Sequence, residues 1–525
     1  MSLPATSEET AKPGSSANRE IEVKLLAGAG GLQAALEMPL LAGVAMQPRS
    51  RNLYTAYYDT ATGDLQKAGV ALRVRRVHGR YVMGVKFPPD PASGLFEREE
   101  VEVRLPSASP DIALFGPELA GRITALTGGK SVEAVFASNF RRRTGAIAAG
   151  LAHIELALDS GIMEAGDRSQ PLEEIELELK QGDEADLCDF AASLAETAGL
   201  RLSTLSKGQR GSLLASGKKP PAARAVVPEY PPGMVVDDFI ASVIGQCLAQ
   251  FAGNWAAIEA GTGPEGVHQG RVALRRLRAM LGLFSKMLPA PEFRAFGAEA
   301  KQLASALGPA REWDVFLKMV HDGPLKMYRR DASFDALLVA ANAFRDEAQA
   351  AARRTVSASA ATAFVLRLRA FAARRSWRIA LSGSELPILT GSARDFAART
   401  LARMHKRILK RGRRLEKLSV EERHDLRIEL KKIRYAAEFF GPLFDGAKAR
   451  RQYARTAGEL QDILGAFNDE AVAHDQLNAL ESEAGPASSH AAGVVLGWCG
   501  RGRADADAVL KPAWKRFSEA KRFWA

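Results

Sequence analysis

Between residues 20 and 24 the chain alternates charged and apolar side chains, Glu20-Ile21-Glu22-Val23-Lys24. The pattern returns with the same order of signs in Glu174-Ile175-Glu176-Leu177-Glu178-Leu179-Lys180. Side chains two apart share a face of a strand, so each segment predicts a strand with one apolar and one charged face. Period-two runs over 53–58, 69–77, 80–87, 97–105, 139–148, 152–159 and 173–180, separated by Gly, Pro and Asp turns, extend this into an antiparallel, meander-like barrel. Helical stretches are expected around 110–127 and at 184–199, and a loop-rich end near Ser206-Lys207-Gly208-Gln209-Arg210-Gly211. From Val235 onward the apolar spacing changes to three and four, which predicts long helices and an all-helical second half. The fold class is therefore α+β.

Between the halves, Ser216 to Gly233 is rich in proline and reads as a linker. The expected organisation is a disordered leader over 1–18, a β domain over 19–213, a linker over 214–233 and a helical domain over 234–525. A hydrophobic share of 46% is ample for a core in each domain. The net charge of +11 is unevenly placed. Residues 1–220 carry 25 basic and 28 acidic side chains, so 47 of the 72 basic and 33 of the 61 acidic residues fall in 221–525. The helical half thus holds the excess positive charge, which implies an anionic partner there. Cys188, Cys247 and Cys499 lie far apart without a CxxC spacing, which speaks against a disulfide framework and a zinc-thiolate site and fits a reducing, cytoplasmic location. Neither a signal peptide nor a membrane span is expected, because no apolar run approaches 18 residues.

Charge alternation is not confined to the two acidic strands. Arg73 and Arg75 share a parity, as do Arg98, Glu100 and Glu102, Arg141 and Arg143, and Glu155 and Asp159, while Lys86 ends the run from Tyr81. One such strand is an ordinary solvated edge. Repeated around a barrel, the same faces would line a charged lumen, too costly to desolvate unless counterions or a ligand occupy it. The fitting ligand is a compact polyanion with divalent metal, arginines and lysines taking phosphate oxygens and carboxylates taking Mg²⁺ or Mn²⁺. The glycine-rich Ala27-Gly28-Ala29-Gly30-Gly31 is not a dinucleotide loop: residue 33 is glutamine, and the preceding strand is too charged for a buried parallel sheet.

Residues 19–213 resemble the CYTH, or triphosphate tunnel, family. The resemblance rests on Glu20-x-Glu22-x-Lys24, Tyr57-Tyr58-Asp59-Thr60, Leu72-Arg73-Val74-Arg75, Arg98-x-Glu100-x-Glu102, Asp159-x-Gly161, Glu174-Ile175-Glu176-Leu177-Glu178 and Ser206-Lys207. It implies an eight-stranded antiparallel tunnel that binds triphosphate and hydrolyses it with divalent metal. By motif position Glu20, Glu22, Glu176 and Glu178 would be metal ligands, the first pair facing the second across the tunnel, with Glu174 and Asp159 in support. Lys24, Arg73, Arg75, Lys86, Arg141, Arg143 and Lys207 would hold phosphate. Glu20, Glu22, Lys24 and Glu176 form the implied catalytic set. Gly84-Val85-Lys86 departs from the Thr-x-Lys frequent in the family.

The helical half repeats itself. His268-x2-Arg271-x3-Arg275-Arg276-x-Arg278 recurs as His424-x2-Arg427-x3-Lys431-Lys432-x-Arg434, an offset of 156 residues (424 − 268). Each copy is followed by a Leu-Gly pair, Leu307-Gly308 and Leu464-Gly465. A duplication into subdomains of about 234–385 and 390–525 accounts for both. Steps of three, four and three put His268, Arg271, Arg275 and Arg278 on one helical stripe with Arg276 at its flank, and the second copy does the same; like charges so placed repel unless an anion is bound. The histidines read as packing or phosphate-bonding residues rather than metal ligands, and Lys406 to Arg414 as a solvated basic face. Nucleic acid is disfavoured, because no aromatic platforms interleave with the stripe. Residues 234–525 resemble the CHAD domain, a helical module often joined to CYTH, whose basic stripes are associated with inorganic polyphosphate.

These readings lead to one expectation: a metal-dependent inorganic triphosphatase coupled to a polyphosphate-binding helical domain, with an association with polyphosphate granules. The alternatives are a non-catalytic polyphosphate-binding protein and an enzyme acting on thiamine triphosphate or, as an adenylate cyclase, on ATP.

Overall fold

A computed structural model of the chain describes residues 18–28, 30–77, 79–88, 97–328 and 331–525, so all but the last residue of the expected leader lies outside it. The chain divides into two compact units, Met1–Lys219 and Pro220–Ala525. Among the described residues no single helix is long and apolar enough to cross a membrane.

The first unit is built on β1 (Asn18–Leu26), β2 (Arg51–Asp59), β3 (Ala71–Val77), β4 (Arg80–Lys86), β5 (Glu97–Leu105), β6 (Glu133–Ala149), β7 (Ala152–Ala165), β8 (Arg168–Gln181) and β9 (Arg201–Leu202). They form one antiparallel sheet in the order β5-β4-β3-β2-β6-β7-β8-β1-β9. There are nine strands where eight were expected, because Arg201 and Leu202 pair with the end of β1. β1 also divides its length between two neighbours: residues 18–21 pair with β5, and residues 22–26 with β8. The two acidic strands are therefore adjacent rather than facing, with Glu22 directly opposite Glu178 and Lys24 opposite Glu176.

The period-two pattern decides which face goes where. Val23, Leu25, Ile175 and Leu177 are fully buried beneath α2 (Glu184–Ala198), whose own Leu187, Ala191, Leu194 and Ala195 are buried too. Leu72, Val74, Met83 and Val85 form a second core with Ile123 of α1 (Pro117–Thr127). The apolar face of the sheet is thus covered by helices, and the charged face is left to line a cavity.

Where a loop was expected after residue 206, the chain forms a helix, α3 (Lys207–Ser216). Ser206 and Gln209 close a capping box at its start, each satisfying the other's backbone N–H. The two glycines that suggested a loop are close-approach positions. A Cβ on Gly211 would lie 1.9 Å from Phe136 Cε2, and one on Gly208 3.0 Å from Ala71 Cβ.

The second unit is helical: α4 (Val236–Ala252), α5 (Pro264–Phe284), α6 (Glu292–Ala306), α7 (Gly308–Asp322), α8 (Ala332–Ser357), α9 (Ser359–Ala373), α10 (Ala393–Arg411), α11 (Val420–Phe440), α12 (Ala447–Ala484) and α13 (Ser489–Ser518). Helix starts recur at a near-constant offset: α10 begins 157 residues after α4 (393 − 236), α11 156 after α5 (420 − 264) and α13 157 after α8 (489 − 332). One long helix, α12, stands where the first half has α6 and α7. Pro309, which lacks an N–H and cannot continue a helix, follows the break at Leu307-Gly308, whereas Leu464-Gly465-Ala466 runs on unbroken. Trp377 is a core aromatic, fully buried and donating to Asp237 Oδ1 at 2.7 Å.

Candidate functional site

The charged face of the sheet encloses a cavity of about 250 Å³. Lys24 of β1, Arg73 and Arg75 of β3, Lys86 of β4, Arg142 of β6 and Lys207 of α3 supply its cations. Its acids are Glu20, Glu22, Asp59, Glu100, Glu102, Glu155, Glu176 and Glu178. Nine of the residues singled out from the sequence therefore meet in one place: Glu20, Glu22, Lys24, Arg73, Arg75, Lys86, Glu176, Glu178 and Lys207.

Two buried networks organise the walls. At one, Lys207 reaches Glu174 Oε1 at 2.5 Å, Glu176 Oε1 at 2.6 Å and Asp159 Oδ2 at 2.8 Å. Arg142 forks onto both oxygens of Asp159 and also onto Glu176, while Arg210 holds the far oxygen of Glu174 at 2.5 Å. Burial alone would raise the Glu176 carboxyl, but Lys207, Arg142 and Lys24 hold it well below the usual carboxylate range. At the other, Arg73 donates to Glu100 at 2.5 Å and to Glu102 at 2.9 Å, and Lys86 bridges Glu20 and Glu100 at 2.7 Å each. Glu100 and Glu102 thus neutralise lumen cations. Asp59 is committed to the backbone, accepting from the N–H groups of Thr60, Leu65 and Gln66.

Two groups are compensated less fully than the rest. Arg75 donates only to Thr55 Oγ1, at 3.3 Å, among the described residues, and burial together with the neighbouring Arg73 pushes its guanidinium down to about 10. Glu178 is pushed up by burial, which the Lys180 ammonium at 2.6 Å only partly offsets, and by Glu20 and Glu155. A cavity with an undercompensated guanidinium on one wall and an undercompensated carboxylate on another is equipped to take an anion and a cation together.

Not all of the expected positions fall on the cavity. Asp159 and Glu174 are completely buried behind the cavity wall. Their carboxylates, with that of Glu176, form an acidic cluster tight enough for a cation, but the Lys207 ammonium already sits among them. Arg141 and Arg143 are exposed on the opposite face of β6, and Arg142 between them enters the cavity. Three consecutive arginines satisfy either parity. The signal that decides it is upstream, in the alternate buried residues Phe136, Ser138 and Phe140. Arg210 was also missed, because it lies one turn after Lys207 on a segment read as loop. The Gly84 departure has a local reason: Gly84 pairs with Arg73, and a Cβ there would stand 3.2 Å from Arg73 Nε.

Because α3 rests on Phe136, which stacks on Tyr57 at 4.3 Å, Gly211→Ala should push the helix and Lys207 away from the cavity. The expected cost is about 1–3 kcal/mol of stability, measurable by thermal unfolding. An unchanged unfolding midpoint would contradict the close approach.

In the helical unit the two stripes lie on α5 and α11 as expected, but their members differ. Arg276 is buried, donating to Gln250 at 2.6 Å and lying 3.2 Å from Glu438 and 4.3 Å over the ring of Phe439, so it joins α5 to α4 and α11. Arg271 donates to Ala304 O at 2.6 Å and lies against Gly308, as Arg427 lies against Gly465. Each Leu-Gly pair thus makes room for the first arginine of its stripe. His268 is half-buried and held low by burial and by Arg311, Arg275 and Arg271, with Glu265 opposing, whereas His424 is exposed. Arg434 lies 3.9 Å from Glu438, and Lys432 3.1 Å from Glu429. Among the described residues, the buried Nε of Arg275 has no hydrogen-bond partner. Arg311, missed in the sequence, joins Arg271 and Arg275 around the uncharged imidazole of His268.

Known proteins resemble both units. A family model described as the CYTH domain matches residues 18–212, and one described as the CHAD domain matches residues 242–478. An inorganic triphosphatase of Haemophilus influenzae is 30% identical over 205 residues, covering 38% of this chain and 55% of that protein, so the chain spans about half the length of the curated relative it matches. Among solved structures, the CHAD domain from the plant Ricinus communis is 29% identical and covers 58% of this chain and 98% of that one, with a TM-score of 0.46. A putative adenylyl cyclase from Hippeastrum, described as having a dominant triphosphatase activity, is 21% identical and covers 38% of this chain and 96% of that one, with a TM-score of 0.28. The chain is thus a CYTH domain followed by a CHAD domain.

Proposed function

We propose that the CYTH domain hydrolyses inorganic triphosphate to diphosphate and phosphate inside this cavity, with Mg²⁺ or Mn²⁺, and that the CHAD domain binds inorganic polyphosphate. The observation that carries the first part is the cavity's charge. Six cations face eight carboxylates, and Arg75 remains without an acidic hydrogen-bond partner. A polyanion entering alone would meet a net negative wall. Entering with divalent cations, it matches both charges. The cavity volume, about 250 Å³, is below the roughly 300–1,000 Å³ of sites that take drug-sized organic ligands, which favours an inorganic chain over thiamine triphosphate or ATP. On this reading the sheet works as a closed eight-stranded tunnel through the pairing of β1 with β5.

The residues fit a divalent ion in one part of the wall and not in another. Asp159 and Glu174 are filled by Lys207 and Arg210. Glu20, Glu22 and Glu178 offer hard oxygen donors on two adjacent strands, each held by a lysine, Lys86, Lys24 and Lys180, while both oxygens of Glu176 are already on Lys207 and Arg142. Glu22 and Glu178, directly opposite each other, would gain from a cation between them. An ion bound there supplies charge neutralisation and a more acidic water. The chain's own part is positioning: Arg75, Arg73, Lys24, Lys86 and Arg142 hold phosphate oxygens so that a water can approach in line with the leaving group. Lys207 fixes Glu176. No side-chain nucleophile is required.

Glu22→Gln tests this assignment. It should leave the unfolding midpoint nearly unchanged while lowering the apparent metal affinity about 10–100-fold, read by titrating Mg²⁺ and Mn²⁺ against phosphate release. Full activity at the same metal concentration would remove Glu22 from the metal site.

Polyphosphate binding rests on Arg271, Arg275 and Arg311, grouped around His268, and on the matching stripe of α11. Arg275→Glu combined with Arg311→Glu should weaken polyphosphate binding at least about tenfold and flatten its dependence on log salt concentration, since fewer counterions are released. Unaltered affinity would place the polyphosphate elsewhere.

A further inference from the structure

A second cavity, of about 530 Å³, opens in the helical unit between α5, α6, α10 and α11. Six cations line it, Arg278, Lys286, Arg294, Arg403, Arg407 and Lys432, and no carboxylate does. Among the described residues Glu429 is the one acid paired with any of the six, at 2.7 Å from Arg407 and 3.1 Å from Lys432. Such a ring repels itself and draws an anion. The rest of the wall has a different chemistry. Met280 and Met404, 1% and 8% exposed, form an apolar surface with Leu283 and Met287. Beside them Thr400, only 5% exposed, lines the cavity with a buried hydroxyl that has no hydrogen-bond partner among the described residues.

We propose that this cavity binds a nucleoside polyphosphate. A linear inorganic chain would satisfy the cations and leave the methionines and the Thr400 hydroxyl uncovered. A nucleotide meets all three: its phosphates lie among the cations, its base rests on the polarizable thioethers, and a polar edge of the base pairs with Thr400. The volume lies within the range of organic ligand sites and is about twice that of the tunnel cavity. Arg407, from a stretch that reads in sequence as a solvated basic face, contributes to it.

Calorimetric titration of the full chain carrying Arg75→Met, which slows turnover in the tunnel, tests the site with ATP, inorganic triphosphate and long-chain polyphosphate as separate probes. ATP should bind one site per chain. Thr400→Val should weaken ATP about tenfold and leave both inorganic probes unaffected. Arg294→Glu with Arg403→Glu should weaken ATP about a hundredfold. Absence of ATP binding in the Arg75→Met chain would overturn the proposal. So would an equal loss for ATP and polyphosphate on Thr400→Val, or no loss at all, since either leaves the base unrecognised.

Discussion

Lys207→Met is expected to destabilise the CYTH domain by about 3–5 kcal/mol at neutral pH, because it removes one partner of a buried ion network and leaves the others in place. The ammonium is the shared cation of Asp159, Glu174 and Glu176, and two of those carboxylates are wholly buried. Arg142 and Arg210 remain but cannot reach every oxygen. The pH dependence fixes the cause. In the native protein Glu176 titrates well below its ordinary value, so its contribution is present above about pH 4.5 and is lost as pH falls through the depressed value. With Lys207 gone that depression shrinks. The gap in stability between the two proteins should be widest above about pH 5 and narrow as pH falls. Urea unfolding at several pH values measures it; a gap independent of pH would mean that packing, not charge, is lost.

Arg75→Met should do the opposite to stability and more to function. Its guanidinium is half-buried, beside Arg73, and donates to a threonine hydroxyl rather than to a carboxylate. Replacing it with an apolar side chain of similar length removes an unfavourable charge, so the unfolding midpoint should stay level or rise. Triphosphate turnover should fall by about 10²–10³, the usual cost of one preorganised donor to a charged transition state. A loss of activity matched by a loss of stability would show Arg75 to be a structural cation.

The two variants separate what the same wall does. Lys207 is held by acids and holds them; Arg75 waits for a ligand. Alternation alone revealed both positions but not this difference, which depends on which acids each cation reaches.

Where alternation was unambiguous it read the fold closely. Glu20, Glu22 and Lys24, and Glu174, Glu176 and Glu178, each face one way because β1 and β8 are regular and their apolar partners are needed outside. It failed at Arg141 to Arg143, where charge fills both faces and only the bulky residues upstream fix the parity. It failed again at Gly208 and Gly211, whose lack of a side chain serves contact with Ala71 and Phe136 rather than a turn. The Ser206 and Gln209 capping box was visible there and outweighs the glycines. On α5, helical spacing set Arg276 at the flank of the basic stripe and among its anion-binding residues, but spacing cannot see Phe439 and Gln250, which take that guanidinium into the core.

The central claim is that this cavity hydrolyses inorganic triphosphate with a divalent ion. Its most direct test is phosphate release from inorganic triphosphate by the full-length protein, with Mg²⁺ or Mn²⁺ and then with excess chelator. The predicted result is one phosphate and one diphosphate per triphosphate, abolished by chelation and restored by metal. No release by folded protein with either metal would contradict it.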